Sequence, residues 1–149
     1  MSTETARNSR VIDGVDAVAA DDDVAAARET IAATAEAFGR AWNARDIDGV
    51  MRTATPDLRT RQPDGTTLGF MEARTAWAGY IASGATHSIA IETIDVKGQG
   101  TAVVDEMITI TSNGGTLLLH GVVDYRYANG EWKIEVIRTF FVPDPPQSS

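Results

Sequence analysis

The chain has 149 residues, 43% hydrophobic and 23% charged, with a net charge of −8 and no cysteine. That length and balance describe one globular domain with room for a core and a pocket, not a disordered chain. An acidic chain without a basic cluster is a poor nucleic-acid binder, because phosphate neutralisation supplies most of that affinity, and the lack of cysteine excludes disulfides, thiolate metal sites and thiol nucleophiles.

Met1 to about Ala20 is polar and rich in small residues, and it reads as a mobile tail, although Val15 to Ala20 could add a helical turn. It lacks the apolar stretch of a signal peptide. No run approaches bilayer length either, so a cytoplasmic protein without membrane contact is expected. Asp21, Asp22 and Asp23 offer caps and negative charge for a helix start. Val24, Ala27, Ile31, Ala35, Phe38 and Trp42 then recur at spacings of three and four, the stripe of an amphipathic helix. Asp46 can cap a short second helix that buries Ile47, Val50, Met51 and Ala54, closed by Pro56. Asp57 to Gln62 reads as a strand, Pro63-Asp64-Gly65 as its turn and Thr66 to Gly69 as a possible return. Phe70, Ala73, Trp77, Tyr80 and Ile81 carry a third helix, which Gly84 is suited to stop.

Thr86 to Val96 opens the main sheet, and its apolar parity shifts between Ile89/Ile91 and Ile94/Val96, which predicts a bulge near Glu92 and Thr93. Thr101 to Thr111 alternates strictly. Ala102, Val104, Glu106, Ile108 and Ile110 share one side, so a single carboxylate interrupts an apolar row. Leu117 to Ala128 turns through Asn129-Gly130 into Glu131 to Phe141, a hairpin signal. In the last strand the row Trp132, Ile134, Val136, Arg138, Phe140 holds one cation. The expectation is that these rows face a common interior with Glu106 and Arg138 as its polar pair. Pro143, Pro145 and Pro146 end the strands. The domain is thus expected over 21–142, with tails at 1–20 and 143–149.

Several stretches resemble the SnoaL-like and ketosteroid-isomerase-like members of the NTF2-like superfamily. They are Ala41-Trp42-Asn43-Ala44-Arg45-Asp46, Pro63-Asp64-Gly65, Gly100-Thr101-Ala102-Val103-Val104 and Asn129-Gly130-Glu131-Trp132-Lys133-Ile134, in that order along roughly Val24 to Phe141. The resemblance implies an α+β fold, a cone-shaped barrel whose curved, mostly antiparallel sheet wraps three N-terminal-side helices. It also implies a deep apolar pocket and, frequently, a homodimer through the outer sheet face. Enzymes of this kind isomerise, dehydrate, cyclise or hydrolyse small apolar molecules, whereas other relatives only bind or assemble. Laid on the limonene-epoxide-hydrolase-like pattern, the positions of its arginine and aspartate fall on Glu106 and Ile108, and its remaining aspartate falls on or next to Arg138. That triad is absent, so epoxide hydrolysis by that arrangement is not expected.

A carboxylate in an apolar row has its pKa raised by desolvation unless a cation compensates, and proton-transfer enzymes exploit either condition. Glu106 is therefore the candidate base and Arg138 the candidate charge stabiliser; the plainer alternatives are an internal salt bridge between them or a further bulge that turns Glu106 to solvent. Trp77, Tyr80, Tyr125, Phe38, Trp42 and Phe140 are candidates for the pocket wall, with core packing as the alternative. His120 and Arg59 are secondary candidates: His120 looks outward if Tyr125 looks inward, and Arg59 shares a strand face with Arg61, where surface exposure is expected for at least one arginine. The two histidines, His87 and His120, lack metal-ligand spacing, so neither a metal nor another cofactor is expected. The leading function is a cofactor-independent isomerase, dehydratase or cyclase of a small apolar carbonyl compound of polyketide or terpenoid type. The alternative is a non-catalytic ligand-binding or oligomerisation domain.

Overall fold

The computed structural model describes residues 16–142, with side chains from 23 onward. Helix α1 spans Asp16–Asn43, α2 Ile47–Arg52 and α3 Phe70–Ala82. The strands are β1 (Ala54–Arg61), β2 (Thr67–Gly69), β3 (Thr86–Gly98), β4 (Thr101–Ser112), β5 (Gly115–Ala128) and β6 (Glu131–Phe141). They form one six-stranded sheet in the order β2-β1-β6-β5-β4-β3. Only the β1/β6 pair is parallel. The two edge strands do not meet, so the sheet curves without closing.

The stripe on α1 is what the sheet covers. Ala27, Ile31, Ala35, Phe38 and Trp42 are all buried; large side chains such as Ile31 and Phe38 contribute about 1.5–3 kcal/mol each when removed from water, and the alanine methyls less. Polar contacts set the helix against β6 and the segment that leads into β3: Thr34 Oγ1 donates to the Trp132 carbonyl at 3.1 Å and Trp42 Nε1 to the Ala85 carbonyl at 3.1 Å. Asp46 accepts from the Gly49 amide at 3.0 Å and starts α2. Gly84, at φ 93°, adopts the left-handed conformation that lets the chain leave α3.

Two boundaries differ from the sequence expectation. Helix α1 is described from Asp16, so Asp21–Asp23 lie within it and do not cap its start; Val15 and the rest of 1–15, like 143–149, lie outside the described residues. Strand β1 begins at Ala54, a residue expected in α2. Pro56 falls in the irregular stretch of the β1/β6 pairing between Ala54 and Arg59, where its missing N–H costs no ladder bond. Among the described residues, no helix is long and apolar enough to cross a membrane.

Bulges decide which side chains face the helices. Ile91 pairs with Glu106 and Thr93 with Asp105, which leaves Glu92 as the extra residue of β3, at the position that its parity shift predicts. A second bulge lies in β6. Tyr125 pairs with Ile134 but Asp124 with Val136, so Glu135 is extra. Ile134 and Ile137 are both buried, and the row expected to run from Trp132 to Phe140 changes face halfway along.

Candidate active site

Between α1, α3 and the inner sheet face lies a cavity of about 270 Å³. An apolar cavity of roughly 150 Å³ can hold benzene, so this one has space for a larger molecule. Its wall is built in rungs across the sheet, as the strand registers require. His87, Ile110 and Leu117 form one rung; Ile89, Ile108, Leu119 and Phe141 the next; Glu106 and Thr139 the third, in register with Ile91 and Gly121, which do not line the cavity. Val123, Ile137, Tyr125 and Ile134 continue inward, and Phe38, Trp42, Trp77 and Tyr80 cover the cavity from the helices. The exposed lining residues Tyr80, Leu117 and Phe141 mark the mouth, beside the β1–β2 turn at Gln62, Pro63 and Asp64.

Glu106 is 4% exposed. Three buried polar side-chain atoms lack a hydrogen-bond partner among the described residues: Thr55 Oγ1, His87 Nδ1 and Glu106 Oε1. The latter two belong to cavity-lining side chains. Burial pushes the Glu106 carboxyl up to about 7, because nothing nearby compensates the loss of water around its charge. Gly121 stands directly across from it on β5, and the absence of a side chain there is what leaves room for the carboxylate arm. Tyr125 is also buried, and burial first, then the Glu106 charge, raise its phenol above the usual range. At neutral pH it is a proton-bearing hydrogen-bond donor near an acid poised to titrate.

His87 enters the site from the edge strand β3. The free edge of its backbone is occupied by Asn43, whose Nδ2 donates to the His87 carbonyl at 2.9 Å and whose Oδ1 accepts from the His87 amide at 2.8 Å. Its ring packs 4.8 Å from Trp42 and 5.1 Å from Phe38, centroid to centroid. Burial holds the imidazole down to about 4, so it is neutral at neutral pH. No sequence motif surrounds His87; its shared parity with Ile89 and Ile91, in the strand expected from Thr86, is the signal that could have placed it on the inner face. Among the described residues, no group of three acidic, histidine or cysteine side chains is placed to hold a metal ion.

Four sequence candidates lie elsewhere. Arg138 does not meet Glu106: the β6 bulge turns it to the outer face, where its guanidinium donates to Asp124 at 2.8 and 3.0 Å. Phe140 follows it outward, and Phe141 lines the cavity instead. His120 also faces out, 3.1 Å from Asp105, with its ring tilted against that of Phe140 at 6.1 Å between centroids. Arg59 is exposed, while its neighbours Leu58 and Thr60 are buried. Glu106, Trp77, Tyr80, Tyr125, Phe38 and Trp42 all line the cavity.

A curved, unclosed sheet folded over N-terminal helices around an apolar cavity is the NTF2-like architecture. The chain belongs to the SnoaL-like domain family, whose model matches residues 35–135. Similar solved structures include an NTF2-like protein with a cystatin-like fold from Novosphingobium aromaticivorans (15% identity, 91% of this chain and 95% of that one, TM-score 0.73). A ketosteroid isomerase-like protein from Erwinia carotovora atroseptica is 20% identical over 77% of this chain and 95% of its own, with TM-score 0.65. A Xanthomonas campestris protein described as a candidate calcium/calmodulin dependent protein kinase II association domain is 15% identical over 77% and 87%, with TM-score 0.65. At these identities the likeness is one of fold. Curated proteins give no match.

Proposed function

We propose that this protein is a cofactor-independent enzyme that isomerises, dehydrates or cyclises a small apolar carbonyl compound, of polyketide or terpenoid type, with Glu106 as its base. The observation that carries this reading is a carboxyl without a hydrogen-bond partner among the described residues at Oε1, raised to about 7 by burial, in a mostly apolar cavity. Such a carboxylate can take a proton from the carbon next to a carbonyl, while the Tyr125 hydroxyl donates to the enolate oxygen that develops. Returning that proton to a different carbon completes an isomerisation with no net gain or loss of atoms. Trp77, Tyr80, Phe38 and Trp42 offer an aromatic wall for a flat substrate. Arg138, remote from the cavity, has no part in this scheme. The test is hydrogen–deuterium exchange at the α-carbon of small cyclic β,γ-unsaturated ketones in D2O, followed by NMR. Wild type should accelerate it and Glu106→Gln should lose at least a hundredfold; equal rates from a folded Gln variant would refute the assignment.

A second reading is a non-catalytic ligand-binding or oligomerisation domain. It draws on the association-domain description of the Xanthomonas campestris neighbour and on the outer sheet face, where Leu118 and Phe140 are exposed beside the Arg138–Asp124 pair. A homodimer through that face suits both readings. Light scattering across a dilution series tests the dimer; ketone binding without exchange would select the non-catalytic reading.

A further inference from the structure

His87 takes no part in the chemistry proposed for Glu106, yet it has the features of a ligand contact. It is 7% exposed, lines the cavity and leaves Nδ1 without a partner among the described residues. A phenylalanine would satisfy the packing against Phe38 and Trp42 without that desolvation penalty, so ring packing alone gives no reason for an imidazole. Its backbone is held by Asn43 on one side and by β4 on the other. The ring is thus presented from a fixed point.

Its position relative to Glu106 follows from the register. Glu106 pairs with Ile91, four residues beyond His87 on β3, or about 13 Å of strand at the usual rise. Ile89 and Ile108 fill the rung between them. The lining therefore reads polar, apolar, polar from the mouth inward.

We infer that the cavity takes an elongated apolar molecule carrying two uncharged oxygen functions, the inner one meeting Glu106 and Tyr125 and the outer one hydrogen-bonded by the His87 imidazole. This rests on the reading of the cavity as a ligand site with Glu106 as its inner polar group. The imidazole is neutral at working pH, so one ring nitrogen donates and the other accepts. That favours a hydroxyl or carbonyl over a carboxylate. A ligand lacking the outer oxygen forgoes that hydrogen bond with the imidazole and binds more weakly by its net worth.

Naphthalene-2,6-diol, 2-naphthol and naphthalene serve as probes, with binding followed by their own fluorescence and by calorimetry. Once the twofold statistical advantage of the symmetric diol is removed, wild type should bind it roughly three- to tenfold more tightly than 2-naphthol, the contribution of one further hydrogen bond. His87→Phe should abolish that preference, whereas His87→Gln should retain part of it. A diol no tighter than 2-naphthol on wild type, or a preference that survives His87→Phe, overturns the inference and leaves the Glu106 assignment to its exchange assay. Failure of all three probes to bind overturns the two-ended ligand, whereas loss of exchange activity alone does not. The wild-type comparison stands even where a variant does not fold.

Discussion

Glu106 and Gly121 face each other across the β4/β5 pair, and the glycine supplies the space in which the carboxylate lies. A Cβ at 121 would stand 2.8 Å from Ile108 Cδ1 and 3.3 Å from Glu106 Cγ. Both are side-chain atoms able to rotate away, so Gly121→Ala should fold at a cost of about 1–3 kcal/mol, as overpacked cores do. It should also displace Glu106 and reduce α-carbon exchange at least tenfold, since misplacing a catalytic group is costly. Gly114→Ala, with nothing within 4 Å of the added atom, is the control and should be silent in urea unfolding and in exchange.

The two buried titratable groups push stability in opposite directions with pH. Glu106 goes from 4.5 to about 7 on burial, so the folded chain holds this proton more tightly than the unfolded one; its contribution is fully present below 4.5 and is lost as pH rises through about 7. His87 goes from 6.5 to about 4, so the folded chain holds that proton less tightly; its contribution is fully present above 6.5 and is lost as pH falls through about 4. Between pH 4.5 and 6.5 the slopes oppose, each about 1.4 kcal/mol per pH unit. Relative to wild type, Glu106→Gln should gain stability as pH rises through that window, and His87→Phe should lose it. Each difference should amount to roughly 3 kcal/mol in total. Parallel curves for wild type and Glu106→Gln in pH-dependent urea titrations would contradict the burial of an uncompensated carboxyl.

For the same reason, exchange activity should rise with pH through about 7 as Glu106 ionises, and fall away below that value. A profile flat from pH 5 to 8 would point to a different base.

Replacing Tyr125 with Phe keeps the buried ring and removes only the proposed donor. Exchange should fall by about a hundredfold, the scale of losing one oxyanion contact, with thermal stability changed by less than about 1 kcal/mol. Unchanged exchange would remove Tyr125 from the mechanism.

Arg138 and Asp124 form a two-pronged ion pair on the outer face, with side chains 39% and 30% exposed. Solvent screening limits such a pair to about 1 kcal/mol or less in a double-mutant cycle. Arg138→Met should therefore leave exchange and diol binding within twofold of wild type. If instead it abolishes exchange while folding normally, the outer face bears on catalysis, for instance through a dimer.

The helical stripe from Ala27 to Trp42, the Gly84 stop, the strict alternation of β4 and the Glu92 bulge were all legible in the chain, because each depends on a local period or a backbone preference. The inward direction of Glu106 followed from the same alternation. The fate of Arg138 did not: one extra residue at Glu135 reverses every side chain beyond it, and nothing in Trp132 to Phe140 marks that point, since apolar residues stand on both faces of β6. His87 was legible only in part: its parity with Ile89 and Ile91 put it on their face, but a lone histidine near a strand end acquires its role from what folds over it, here Phe38, Trp42 and the amide of Asn43. Periodicity along a strand is a local property of sequence. Which face it presents, and to what, is decided by pairing with distant strands, where a single-residue shift exchanges the core for the surface.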